Sequence, residues 1–189
     1  MYLFFDTETT GLPRSWRAPV TDLDNWPRLV QIASLLYDED GEQIGEMNAI
    51  VRPEGFVIPE EASRIHRITT ERALAEGRPL RDVLDEFGAM IGDAEFLVAH
   101  NMSFDEKIAG AEFLRAGLGN PVDSKKKICT MQRSTDFCAI DGQYGYKWPK
   151  LFELHQKLFG VGFDEAHDAG VDIRATAKCF WELRRLKVV

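Results

Sequence analysis

The feature that most constrains this chain is its opening, Met1 to Gly11, read as MYLFFDTETTG. An uncharged apolar run at the very start reads as a buried strand, and it ends in two carboxylates, a threonine pair and a glycine turn. Asp6 and Glu8 stand two residues apart. On a strand that spacing sends both side chains to one face, so two hard oxygen donors project together from the end of a buried sheet. Such a pair suits a divalent cation. A strand running out into solvent with ordinary surface acids would show the same two residues, so the rest of the chain has to decide.

The remaining segments continue the α/β theme. Leu12 to Pro27 has no regular period and reads as a long loop, a feature often tied to function in compact domains. Leu29 to Tyr37 reads as a strand, Asp38 to Gly41 as a turn and Ile44 to Val51 as the returning strand, a hairpin beside the first strand. Helical patterns follow at Glu60 to His66, Thr69 to Glu76 and Leu80 to Ile91. Glu95 to Asn101 is a further short apolar strand, with Ser103 placed to cap a helix from Phe104 to Ala116 that Gly117 closes. Lys127 to Met131 reads as a short strand. Pro149 opens a helix carrying Leu151, Leu154 and Leu158 on one face and ended by Gly160. A last helix runs from about Ala169 to Leu186.

With 189 residues and 44% hydrophobic content the chain fits one domain with a substantial core. No apolar stretch approaches a membrane span, and the N-terminus lacks the marks of a secretory signal, so a cytoplasmic protein is expected. Cys129, Cys138 and Cys179 are odd in number and widely spaced, which signals neither a disulfide framework nor a zinc site. The net charge of −8 argues superficially against a nucleic-acid partner. That objection weakens if some acids are metal ligands, since two divalent cations would bring −8 to −4.

Carboxylates recur at element ends. Asp105 falls in the first turn of the helix after the strand ending at Ala99, and Asp172 in the first turns of the last helix, with His167 five residues before it. The segments FDTETTG, HNMSFD and HDAGVD occur in that order. On these motifs the sequence resembles the DEDDh branch of the DnaQ-like, proofreading-type 3′-5′ exonucleases. The resemblance runs from residue 2 to about residue 180, and it implies one exonuclease domain over 1–189. The implied fold is ribonuclease H-like, a central mixed β-sheet flanked by α-helices. A weaker match is Ile65-His66-Arg67-Ile68-Thr69, where Arg67 stands in place of a family glycine.

The resemblance implies that Asp6, Glu8, Asp105 and Asp172 hold two divalent cations, Mg²⁺ or Mn²⁺, with His167 as the general base. Four carboxylates suit those hard ions without sulfur or imidazole, and paired cations about 4 Å apart can clamp both reacting oxygens of a phosphodiester. An imidazole with an ordinary pKa of about 6.5 can accept the proton of the attacking water. His66 and His100 lack the matched spacing for that role. Thr7, Thr9, Leu12, His66, Asn101 and Phe104 are the implied substrate contacts, and Arg14, Arg17, Arg67, Lys147 and Lys150 are candidate phosphate contacts. The run Lys125 to Lys127 reads as a solvated surface.

The expected activity is hydrolysis from the 3′ end of nucleic acid, single-stranded DNA favoured and RNA possible, releasing nucleoside 5′-monophosphates. The competing readings are an inactive nucleic-acid-binding or polymerase-associated module of the same fold, and a nuclease cutting internally. The expected partners are nucleic-acid 3′ ends and a polymerase or other replication or repair protein, with no membrane.

Overall fold

The computed structural model describes residues 1–163 and 168–189. Its elements are β1 (Tyr2–Thr9), β2 (Leu29–Tyr37), β3 (Gln43–Ile50), α1 (Glu60–His66), α2 (Thr70–Glu76), α3 (Leu80–Asp93), β4 (Phe96–Ala99) and α4 (Met102–Arg115). After a 3₁₀ turn at Pro121–Ser124 come β5 (Lys126–Cys129), α5 (Thr130–Arg133), α6 (Thr135–Cys138), β6 (Asp141–Gly142), β7 (Gly145–Tyr146), α7 (Leu151–Phe159) and α8 (Ala169–Arg185).

Five strands form a mixed sheet in the order β3-β2-β1-β4-β5. β1 pairs antiparallel with β2 along its whole length, from Tyr2 opposite Tyr37 to Thr9 opposite Leu29. It pairs parallel with β4 only over Tyr2, Leu3 and Phe4. Beyond Phe4 the two strands part, and β1 runs on with one edge open. Strand order reverses at β1, and in open α/β sheets ligand sites form outside the carboxyl ends of the strands at such a point.

Alternation along β1 divides the core. Leu3 and Phe5 pack with Val83, Leu84, Phe87 and Ile91 of α3 and with Ile108, Ala109 and Phe113 of α4. Phe4 faces the other way, onto Ala169, Ile173, Ala177 and Phe180 of α8. β2 is buried on both faces up to its last residue, which explains its near-continuous apolar sequence. Asp6 and Glu8 share the parity of Phe4 and so lie on the α8 side, whereas Thr7 and Thr9 lie on the α4 side.

Several boundaries differ from the sequence expectation. α4 begins at Met102, and its N-cap is Asn101 at φ 94° rather than Ser103; Ser103 Oγ instead donates to Asn101 Oδ1 at 3.1 Å. Pro149 lies before the N-cap Lys150 of α7 instead of in its first turn. The short helices α5 and α6 and the β6–β7 hairpin have no counterpart in the sequence reading. The lysine run sits at the start of β5, where Lys125 Nζ donates to Ala94 O at 2.7 Å, and Lys126 and Lys127 pair with Glu95 and Glu106. Cys138 and Cys179 are buried free thiols, and burial pushes the Cys179 thiol up to about 12.

Candidate active site

The site grows from the free end of β1. Asp6 and Glu8 project toward the first turn of α8, which presents Asp172. One carboxylate oxygen from each of these three residues lies within 4.8 Å of the other two. The first turn of α8 is held by its surroundings: Asp168 caps it, accepting from Gly170 N at 2.9 Å and Val171 N at 3.3 Å. Gln31 Oε1 accepts from Ala169 N at 3.4 Å while its Nε2 donates to Asn48 Oδ1 at 2.9 Å. A Cβ on Gly170 would come to 2.5 Å from Asn48 Nδ2, so any larger residue there would have to push the Asn48 side chain aside.

Asp105 arrives from the opposite face of the sheet. Its Oδ1 accepts from Thr7 N at 3.1 Å and from Thr7 Oγ1 at 2.8 Å. The backbone N–H of Thr7 lies just past the point where β4 leaves β1, so Asp105 closes the open edge of the strand. Four acids from two layers thus meet around one strand end.

Their charges act on one another. Burial holds the Asp6 carboxyl well above the usual carboxylate range, and Asp105, Glu8, Asp172 and Asp168 push it further in the same direction. Glu8 is raised to about 8, first by burial and then by Asp172, Asp105 and Asp168. Burial raises Asp105 to about 7 against the lowering effect of its bonds from Thr7. Acids of this kind are electrostatically frustrated until positive charge joins them, and the donors are all oxygen, so the set fits a hard divalent cation.

Beside the acids lies a pocket of about 230 Å³ lined by Thr7, Glu8, Thr9, Gly11, Leu12, Ala62, Ile65, His66 and Phe104. Leu12 is 74% exposed on its rim. The turn that carries it depends on Gly11 at φ 147°, with Thr9 Oγ1 donating to Gly11 O at 2.7 Å. The pairing register of β1 with β2 shifts between Glu8 and Thr9 at the same place. His66 is buried beneath the pocket, its Nδ1 accepting from Ile68 N at 3.2 Å, and burial lowers its pKa.

The chain matches the RNase_T family, described as Exonuclease, over residues 3–180. It belongs to the DnaQ-like exonuclease family. Among its relatives, the PolC-type DNA polymerases III of Staphylococcus saprophyticus and Staphylococcus aureus are 27% identical over 179 residues. The match takes in 95% of this exonuclease-family chain and only 11% of each polymerase. In structure it resembles E. coli Exonuclease I in complex with a dT13 oligonucleotide, with a TM-score of 0.75, 20% identity, and coverage of 98% of this chain and 42% of that one. The zinc-bound form of the E. coli ExoI–ssDNA complex gives a TM-score of 0.75 at 19% identity, covering 99% and 41%. The fold is the ribonuclease H-like exonuclease fold expected from the motifs. Among the described residues no helix is long and apolar enough to cross a membrane.

Of the residues singled out from sequence, Asp6, Glu8 and Asp172 form the oxygen cluster and Asp105 stands beside it, bound to Thr7. Thr7, Thr9, Leu12, His66 and Phe104 line the adjacent pocket. Asn101 does not; it lines a separate cleft with Trp16, Ser103, Met131 and Trp148. His167 lies outside the described residues. Lys147 is committed to Glu153 at 2.5 Å. Arg67 occupies the left-handed C-cap of α1 at φ 62°, the conformation for which a glycine is favoured. The sequence reading missed Asp168, a fifth acid acting on Asp6 and Glu8, although the HDAGVD motif contains it. It also missed Glu112, fully buried on α4 seven residues after Asp105 and therefore on the same helical stripe.

Proposed function

We propose that this chain is a metal-dependent 3′-5′ exonuclease that removes nucleoside 5′-monophosphates from single-stranded nucleic acid, DNA in preference to RNA. The observation that carries this reading is the convergence of Asp6, Glu8 and Asp172 oxygens within 4.8 Å, with the Asp6 and Glu8 carboxyl pKa values raised by burial and by neighbouring acids, beside a pocket of about 230 Å³. Asp6, Glu8 and Asp172 would hold one Mg²⁺ or Mn²⁺. Asp105 would contribute to a second ion, and since its Oδ1 accepts twice from Thr7, Oδ2 is the oxygen left to do so. When bound, such ions would supply positive charge to the phosphate oxygens and make the attacking water easier to deprotonate.

The chain's own groups do the rest. Leu12 and Phe104 wall the pocket beside Glu8 and can grip the terminal base, while Thr9 shapes the turn that brings Leu12 there. His167, directly before the α8 cap Asp168 in sequence, is the proposed base for the attacking water. His167→Ala should lower kcat by about 10²- to 10⁴-fold with little change in KM; a near-normal rate in that variant would remove histidine from the mechanism. The PolC-type relatives favour a replicative setting and a polymerase partner as a further part of the proposal.

The test is release of mononucleotides from 5′-labelled single-stranded DNA and RNA with Mg²⁺, Mn²⁺ or EDTA, with Asp6→Ala as the blank. A ladder shortening from the 3′ end, dependent on metal and absent in the blank, is the expected result. Oligonucleotide binding without cleavage would overturn it in favour of an inactive module, and cleavage of a circular strand would point to an internal nuclease.

A further inference from the structure

We infer that the cleft between Trp16 and Trp148 is a stacking site for unpaired bases immediately 5′ of the terminal nucleotide, which makes single-stranded nucleic acid the substrate class. The inference rests on the exonuclease reading above and extends it beyond the terminal pocket. The cleft has a volume of about 350 Å³ and is lined by Trp16, Asn101, Ser103, Met131 and Trp148. That is the low end of small-ligand sites, roughly 300–1,000 Å³, and enough for a base with its sugar. Trp16 is 54% exposed and Trp148 60%, a costly display of indole for which nothing in the described core gives a reason.

Continuity with the acidic site identifies the occupant. Phe104 lines the pocket beside Glu8, and its ring lies 5.7 Å from that of Trp16, tilted by 48°. The Phe104–Trp16 pair therefore stands between the two recesses, so a strand whose last base fills the first recess has its preceding bases at the second. Among the described residues no carboxylate lines the cleft in a chain of net charge −8, and Arg17 follows Trp16 directly in sequence. Aromatic platforms beside cationic side chains are how sequence-tolerant single-strand sites hold bases. Paired bases stack on their own neighbours and cannot enter.

Both walls are braced. The loop carrying Trp16 is stapled by Ser15 N to Asn25 Oδ1 at 2.7 Å, Asn25 Nδ2 to Ser15 O at 3.0 Å and Trp26 Nε1 to Pro19 O at 3.0 Å. The backbone after Trp148 is fixed by half-buried His100, whose Nε2 donates to Pro149 O at 3.0 Å while Nδ1 accepts from Thr130 Oγ1 at 2.9 Å. Burial lowers the His100 pKa to about 4, so the imidazole stays neutral at neutral pH.

The test pairs two readouts. In Mg²⁺, Trp16→Ala and Trp148→Ala, each placed in the cleavage-blocked Asp6→Asn background, should weaken binding of 5′-fluorescein-dT8 by about tenfold, with Trp→Phe intermediate. In the active protein, Trp148→Ala should lower the ratio of dT8 degradation to hydrolysis of the p-nitrophenyl ester of thymidine 5′-monophosphate by a similar factor, because that ester offers only a terminal nucleotide. Unchanged dT8 binding in both variants overturns the inference, as does an equal loss on oligomer and ester. If the otherwise wild-type chain hydrolyses neither substrate, the exonuclease reading fails, and the dT8 binding arm still decides the cleft.

Discussion

Thr7 is the residue on which the two layers of the site depend. It sits on the face of β1 away from Asp6 and Glu8, yet its hydroxyl and its N–H both bind Asp105 Oδ1. Those bonds favour the charged form of a carboxyl that burial otherwise raises to about 7. Thr7→Val keeps the shape and the N–H bond and deletes the hydroxyl bond. The expected result is a loss of about 1–2 kcal/mol in stability, together with a higher Mn²⁺ concentration for half-maximal exonuclease rate, since Asp105 would ionise less readily. A metal titration indistinguishable from that of the unmodified chain would show that Thr7 merely fills space. Arg67 is a simpler case. A non-glycine residue at φ 62° carries a penalty of roughly 1–2 kcal/mol, partly offset by the looser unfolded chain that glycine would bring. Arg67→Gly should thus leave the urea midpoint unchanged or slightly raised, and a clear fall would mean that the arginine side chain makes an undetected stabilising contact.

At the scale of elements, α4 is the lever that sets Asp105 in place, and Glu112 is its fulcrum. Glu112 Oε1 accepts from Arg28 Nε at 2.8 Å and from Leu29 N at 3.0 Å, and it pairs with Arg115 Nη1 at 2.9 Å. Arg115 in turn donates to Leu23 O and Trp26 O in the loop that carries Trp16. One carboxylate therefore ties α4, the start of β2 and the long loop together. Removing one partner of a buried ion pair strands the other charges, so Glu112→Ala should cost about 3–5 kcal/mol by urea unfolding; a cost under about 1 kcal/mol would show the network to be solvated and dispensable. How much of this could be read beforehand follows from range. β1, the β2–β3 hairpin, α1 to α3 and α8 announce themselves through period and breakers, and the three carboxylate motifs through order. Ser103 looked like a cap because serine is favoured at that position, whereas Asn101 in the left-handed region starts the helix two residues earlier. The four-residue helices α5 and α6 are too short to leave a period. That Asp105 reaches β1 from the far layer, and that Trp16 meets Phe104, depends on contacts across about 90 residues of chain, which no local pattern encodes.

For the whole molecule, the cost of gathering four acids at one strand end should appear in its pH dependence. Glu8 and Asp105 have folded pKa values of about 8 and about 7, and Asp6 is raised as well. In an unfolded chain such groups titrate near 4. The folded state therefore binds more protons than the unfolded one from about pH 4 upward. The stability these groups contribute is complete below their unfolded pKa and is lost as pH rises through about 7 and 8. His66 and His100, whose pKa values desolvation lowers, act in the opposite sense only below about pH 6.5, and the raised Cys179 thiol acts only above about 8.5. Between pH 7 and 8.5 the acids dominate. In EDTA the melting temperature should fall across that interval, each kcal/mol lost lowering it by about 2–4 °C. Mg²⁺ or Mn²⁺ binds the deprotonated acids, so its stabilising increment should grow over the same interval. Asp6→Asn removes one like charge; its melting temperature in EDTA should exceed that of the unmodified chain at pH 8.5, with a shallower slope and a smaller response to metal. Thermal melts followed by circular dichroism at pH 7.0, 7.75 and 8.5, with and without metal, test all of these points. A flat or rising melting temperature in EDTA, with an equal metal increment at every pH, would mean that the acids are already neutralised by something other than protons or divalent ions.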